Sequence, residues 1–270
     1  MRVAILSVSV PEYVGAIMGA VPLPGLKIHS MHSLCPTPRF TRLLPGLLLA
    51  LALQPAGAFQ SVRDQEIAQC LPGEVATWGD GQDRPASSSP MVFVYDHAGA
   101  PAWFSEALVL SAVSKAAAAW SQCGVPSRVM SAVAGAPLPP GAVLVQWSEP
   151  FSGGNFGLAN LTQRKLALGP AAFLMLKTRN PAHDASQTLQ MVISHEMGHH
   201  FGLMAHSRRC VDVTSYYNNG KGEQCLTRDA VPRPAGLEYR ALLPTACDIE
   251  RCASVNKTRL PSPVGAARGY

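Results

Sequence analysis

The chain has 270 residues, of which 47% are hydrophobic and 14% charged, with a formal net charge of +5. That length allows one sizeable core or two small ones. Its Lys and Arg residues form no basic stripe, so nucleic acid is not an expected partner.

Arg39 and Arg42 precede an apolar run, Leu43 to Leu53, and Ala56-Gly57-Ala58 follows it. A basic stretch, an apolar stretch and small residues in this order read as a secretory signal, with cleavage after Ala58. The run is too short and too interrupted for a membrane span, so no stable membrane insertion is expected after cleavage. Met31 stands just ahead of the basic residues. Residues 1–30 therefore read as an upstream extension and 31–58 as the signal, which implies a secreted or periplasmic protein. Without residues 1–58 the chain keeps 18 Lys and Arg against 16 Asp and Glu, close to neutral. Cys35 is lost with the signal and six cysteines remain: Cys70, Cys123, Cys210, Cys225, Cys247 and Cys252. An even number in an exported chain suggests three disulfides, and Cys210 with Cys225 is the first pairing to expect. Cys70 is better read as a disulfide partner than as a latency thiolate, since Gln69-Cys70-Leu71-Pro72 is no latency motif.

Residues 59–90 are rich in Gly, Asp, Pro and Ser and read as an irregular lead-in. Met91–Tyr95 is a β-type run closed by Asp96 and Gly99. From Pro101 to Cys123 the spacing of Val109, Val113, Ala116 and Trp120 is helical, and Gly124 with Pro126 marks the stop. After a Pro/Gly loop at 137–141, Ala142–Trp147 reads as a second strand. Beyond the loop at Gly153-Gly154-Asn155, two short extended segments are expected, Phe156–Thr162 and Lys165–Leu168. The next helix runs from about Ser186 to Phe201, with Asp184 as its cap. Leu189, Ile193 and Met197 make its core stripe, and Val192, His195 and His199 sit toward the side where a metal would bind. Cys210–Cys225 is turn-rich, Pro232-Arg233-Pro234 is a break, and one or two short helices fit between Leu237 and Ser254. Residues 255–270 read as a flexible tail. The pattern suits one domain over residues 91–254, an α+β fold with a mixed sheet and helices packed on one side.

The chemistry is concentrated in His195-Glu196-Met197-Gly198-His199-His200-Phe201-Gly202-Leu203-Met204-Ala205-His206. Two imidazoles four apart share one helix face and can hold one Zn2+ ion, while Glu196 beside them suits the general-base role. Gly202 lets the chain leave the helix and turn a third ligand under the metal, and His206 is the candidate, with Asp212 in reserve. On helical geometry His200 points about 100° from His199 and is expected at the surface or behind the site. His97 and His183 fall in loops and are expected to be solvated. Asn160-Leu161-Thr162 and Asn256-Lys257-Thr258 are glycosylation sequons.

The motif resembles that of the metzincin zinc metallopeptidases, H-E-x-x-H-x-x-G-x-x-H. It matches through Gly202 and then departs, because Ala205 stands where the third histidine belongs and His206 follows one residue late. Val213-Thr214-Ser215-Tyr216 resembles the family's methionine turn, with Thr214 in the methionine's place. The resemblance covers roughly Met91 to Tyr217. It implies a twisted mixed sheet with a long helix and a zinc-binding helix, peptide-bond hydrolysis, and a protein or peptide substrate. It also implies that Tyr216 stabilises the tetrahedral intermediate and that the segment at Leu158-Ala159-Asn160 is a sheet edge pairing with substrate backbone. Two other readings stay open. One is a zinc enzyme whose third ligand is a distant glutamate, Glu223 or Glu250. The other is a degenerate, noncatalytic zinc domain that binds protein.

Overall fold

A computed structural model describes residues 61–229 and 238–257. The expected upstream stretch, the signal, the Pro232–Pro234 break and most of the expected tail lie outside the described residues. No helix among the described residues is long and apolar enough to cross a membrane.

Five strands form one sheet: Met91–Asp96 (β1), Ser127–Ser131 (β2), Val143–Trp147 (β3), Gly157–Asn160 (β4) and Lys165–Leu168 (β5). The order is β2-β1-β3-β5-β4, parallel except for β4, which runs antiparallel to β5 at one edge. Register aligns one apolar face across the sheet, pairing Phe93 with Val143, Tyr95 with Val145, Val145 with Leu166 and Trp147 with Leu168. These residues are nearly all fully buried in the main core, whereas the opposite face clusters only Val92, Val94 and Ala142. The strand β2 has no counterpart in the sequence reading. Its residues are half polar and mostly exposed, so no apolar alternation marks it.

The helices are Val62–Ala68 (α1), Glu106–Trp120 (α2), Glu149–Ser152 (α3), Pro170–Arg179 (α4), Ala185–His200 (α5) and Ala246–Asn256 (α6). The second starts later than the Pro101 expected, because the side chain of Ser105 accepts from Leu108 N and fixes the start there. Ser61 caps α1 in the same way, within a stretch expected to be irregular. Asp184 caps α5, as expected, accepting from Ser186 N. Thr245 and Asp248 form a capping box that starts α6.

Helices α2 and α5 pack together on the main-core face. Trp120 Nε1 donates to Ser194 O at 2.8 Å, and its ring stacks on Phe201. Gly198 is required by this packing, since a Cβ there would stand 2.9 Å from Trp120 Cζ2. Three disulfides join Cys70 to Cys247, Cys123 to Cys252, and Cys210 to Cys225, the last as expected. The Asn256 sequon is structurally closed. Its side chain is buried, accepting from Ala86 N and donating to Phe201 O and Cys252 O.

Candidate metal centre

The helix α5 carries His195, Glu196 and His199 on its buried face, and its end turns sharply. Gly202 adopts φ +109°, Gly202 N donates to His199 O at 3.1 Å, and Leu203 N donates to Gly198 O at 3.0 Å. This is a Schellman turn, which a side chain at 202 would strain. The chain then doubles back and brings His206 beside the two helical histidines. Ligand atoms of His195, His199 and His206 lie within 4.8 Å of one another, and all three side chains are buried.

Each ring is oriented by an acceptor at Nδ1. His195 Nδ1 is 2.7 Å from Val213 O, His199 Nδ1 is 2.7 Å from Leu203 O, and His206 Nδ1 is 2.7 Å from Asp80 Oδ2. A carbonyl or carboxylate oxygen can only accept, so Nδ1 bears the hydrogen in each ring and Nε2 keeps its lone pair. His195 Nε2 is buried without a hydrogen-bond partner among the described residues. A buried acceptor left open in this way, with two more imidazoles beside it, fits a cation. Burial first, and then the neighbouring histidines, hold His195 well below the usual imidazole range, and burial lowers His199 to about 3. Both rings are thus uncharged near neutral pH, the form that binds a metal.

Glu196 is buried, with Oε2 accepting from Ala159 N at 2.8 Å and Oε1 without a partner. Burial raises its carboxyl to about 8, against the Ala159 hydrogen bond, which lowers it. Ala159 pairs with Leu166 in the antiparallel ladder, yet its amide reaches Glu196. The outer edge of β4 therefore faces the site. Gly157 lets this edge come close: a Cβ there would stand 2.5 Å from Val192 Cγ1 and 2.9 Å from Glu196 Cγ. A cleft of about 330 Å³ lies at the end of α5, where residues 84–87 and the Leu161–Thr162 turn meet His199, His200 and Gly202; His195, Glu196 and His206 do not line it.

Tyr216 packs on His206, with ring centroids 4.4 Å apart, and its hydroxyl donates to Asp80 Oδ2 at 2.6 Å. Burial opposes ionisation of Asp80, but the hydrogen bonds from His206 and Tyr216 hold its carboxyl below the usual carboxylate range. Thr214 is fully buried beneath α5. Its hydroxyl donates to Asp248 Oδ1 at 2.6 Å, and its methyl lies 3.0 Å from where a Gly198 Cβ would be.

Several expectations need correction. Asp212 is no ligand in reserve, because its two oxygens accept from Ser207 and Thr245. Glu250 is exposed, and Glu223 accepts from Asn219; neither joins the three histidines among the described residues. Of the two places expected for His200, the surface is excluded: it is buried outside the three-histidine cluster, with Nε2 at 3.3 Å from Lys165 O, and burial lowers it to about 4. His97 and His183 are half-buried and hydrogen-bonded, to Tyr95 Oη and Thr188 Oγ1. Asp80 escaped the sequence reading altogether. Its own surroundings, Trp78-Gly79-Asp80-Gly81, read as an ordinary turn.

No protein-family model matches the chain, and no curated protein does. Among solved structures, the GM1 bound form of the ECX AB5 holotoxin is similar at 12% identity, covering 61% of this chain and 80% of that chain, with a TM-score of 0.36. A likeness at that level carries no argument about fold or function.

Proposed function

We propose that the protein is an exported zinc-dependent endopeptidase of metzincin type. The observation that carries this reading is the unpartnered, buried His195 Nε2 beside His199 and His206, with every Nδ1 already engaged. Zinc favours three such ligands plus one open position, and there it supplies a Lewis acid and makes water acidic enough to ionise near neutral pH.

The chain's own residues supply the rest. Glu196 Oε2 is fixed by Ala159 N, and a cation held by the three histidines would favour the ionised carboxylate that burial alone disfavours, which leaves Oε1 to take a proton from the attacking water and pass it to the leaving amine. The outer edge of β4, apart from the Ala159 amide that Glu196 holds, takes the substrate as an added strand, and the cleft beside His199 receives one of its side chains. Tyr216 turns its hydroxyl from Asp80 to the developing oxyanion. Three disulfides suit an oxidising compartment, in keeping with the signal-like leader.

The test is clearing of casein or gelatin by the purified protein and by Glu196→Ala, with bound zinc measured in both. The reading expects clearing by the wild type and loss of clearing, with zinc retained, in the variant. Full clearing by Glu196→Ala overturns the general-base role. A wild type that binds zinc but clears nothing favours the degenerate, protein-binding reading.

A further inference from the structure

We infer that Asp80 is the positioning residue that makes His206 a competent third ligand, so that the strap formed by residues 78–84 is part of the metal centre. The inference rests on the zinc reading above and adds to it a residue outside the motif.

His206 stands one residue beyond the place where the metzincin spacing would put a ligand, so its turn must hold an extra residue. The strap holds that turn along its length. Arg84 N donates to Gly202 O at 3.0 Å, and Asp83 Oδ1 accepts from Met204 N at 2.8 Å and Ala205 N at 3.1 Å. Arg251, from α6, braces Asp83 through both carboxylate oxygens. Gly81 passes so close that a Cβ there would be 2.5 Å from Met204 O.

At His206 itself, two strap residues take every polar group except Nε2. Trp78 N donates to His206 O at 3.0 Å. Asp80 Oδ1 accepts from His206 N at 2.9 Å, and Oδ2 takes Nδ1 at 2.7 Å. His195 and His199 lean on peptide carbonyls, whereas His206 leans on a carboxylate. That partner fixes ring rotation and tautomer and increases electron density at Nε2, making it a better donor to a cation. The Cys70–Cys247 disulfide ties the chain ahead of the strap to α6. Zinc binding and strap docking therefore support each other, as linkage requires.

The test uses the full chain with Asp80→Ala and Asp80→Asn. Zinc affinity is read by chelator competition, and the ligand field by the visible spectrum after Co2+ substitution. The expected result is about 10–100-fold weaker zinc binding in Asp80→Ala, a smaller loss in Asp80→Asn, and altered cobalt bands in both with near-UV circular dichroism unchanged. If Asp80→Ala does not fold, Asp80→Asn decides. Folded variants with wild-type zinc affinity and an unaltered cobalt spectrum overturn the role of Asp80 and leave the zinc reading intact. A wild type that takes up no zinc overturns both.

Discussion

Glu196 and Ala159 are joined by a 2.8 Å hydrogen bond that ties the buried face of α5 to the outer edge of β4. Through this one bond, the proposed acid–base group and the strand proposed to hold the substrate share a fixed geometry.

Replacing Glu196 by Gln keeps an oxygen to accept from Ala159 and removes the proton acceptor. Peptidase activity is expected to fall by about 10²–10⁴-fold, with zinc content and melting behaviour close to wild type. Rate and metal content measured on one preparation check this.

Gly157→Ala places a methyl group 2.5 Å from Val192 Cγ1 and 2.9 Å from Glu196 Cγ. Overpacking of this kind costs about 1–3 kcal/mol. It also pushes β4 from α5, so kcat/KM should drop while zinc is retained. Urea unfolding with parallel kinetics reads both effects.

Thr214→Met restores the residue that the metzincin resemblance would place in the floor. Here it is expected to destabilise the protein by about 1–3 kcal/mol, from overpacking below Gly198 and loss of the hydrogen bond to Asp248. A variant as stable as wild type would show that the floor has room for the larger side chain.

The acid limit of stability is expected to involve Glu74. The Arg228 guanidinium beside it, opposed by burial and aided by Leu71 N and Arg209, lowers its carboxyl from 4.5 to about 2. Because the folded value lies below the unfolded one, its contribution is complete above about pH 4.5 and is lost as pH falls towards about 2. Allowing for solvent screening, it amounts to on the order of 1–2 kcal/mol. Comparison of wild type and Glu74→Gln in urea should show a gap at about pH 6 that closes at about pH 2.

The helix α5 was legible in the sequence because its signals are local. The Leu189–Ile193–Met197 stripe, the Asp184 cap and the glycine at 202 fix its extent, and His206 is near enough along the chain to be found from the motif. The main strands were legible as apolar runs, and Cys210–Cys225 as the short loop beyond the motif. The strap was not legible, because Asp80 meets His206 across 126 residues of chain and nothing local marks an aspartate as a histidine's partner. The burial of His200 was hidden for a related reason: residues on the far side of α5 from the metal face still lie under the sheet. Thr214 looked like a gap in the floor when read against the resemblance. It became intelligible only with Asp248 brought in by α6.

The most direct test of the central claim is zinc stoichiometry together with X-ray absorption at the zinc edge, for the wild type and for His206→Ala. The account predicts one zinc per wild-type chain with three imidazole nitrogens at about 2.0–2.1 Å, and marked loss of the metal in His206→Ala. A wild type without zinc, or a His206→Ala variant that keeps a full complement in an unchanged ligand shell, would contradict it.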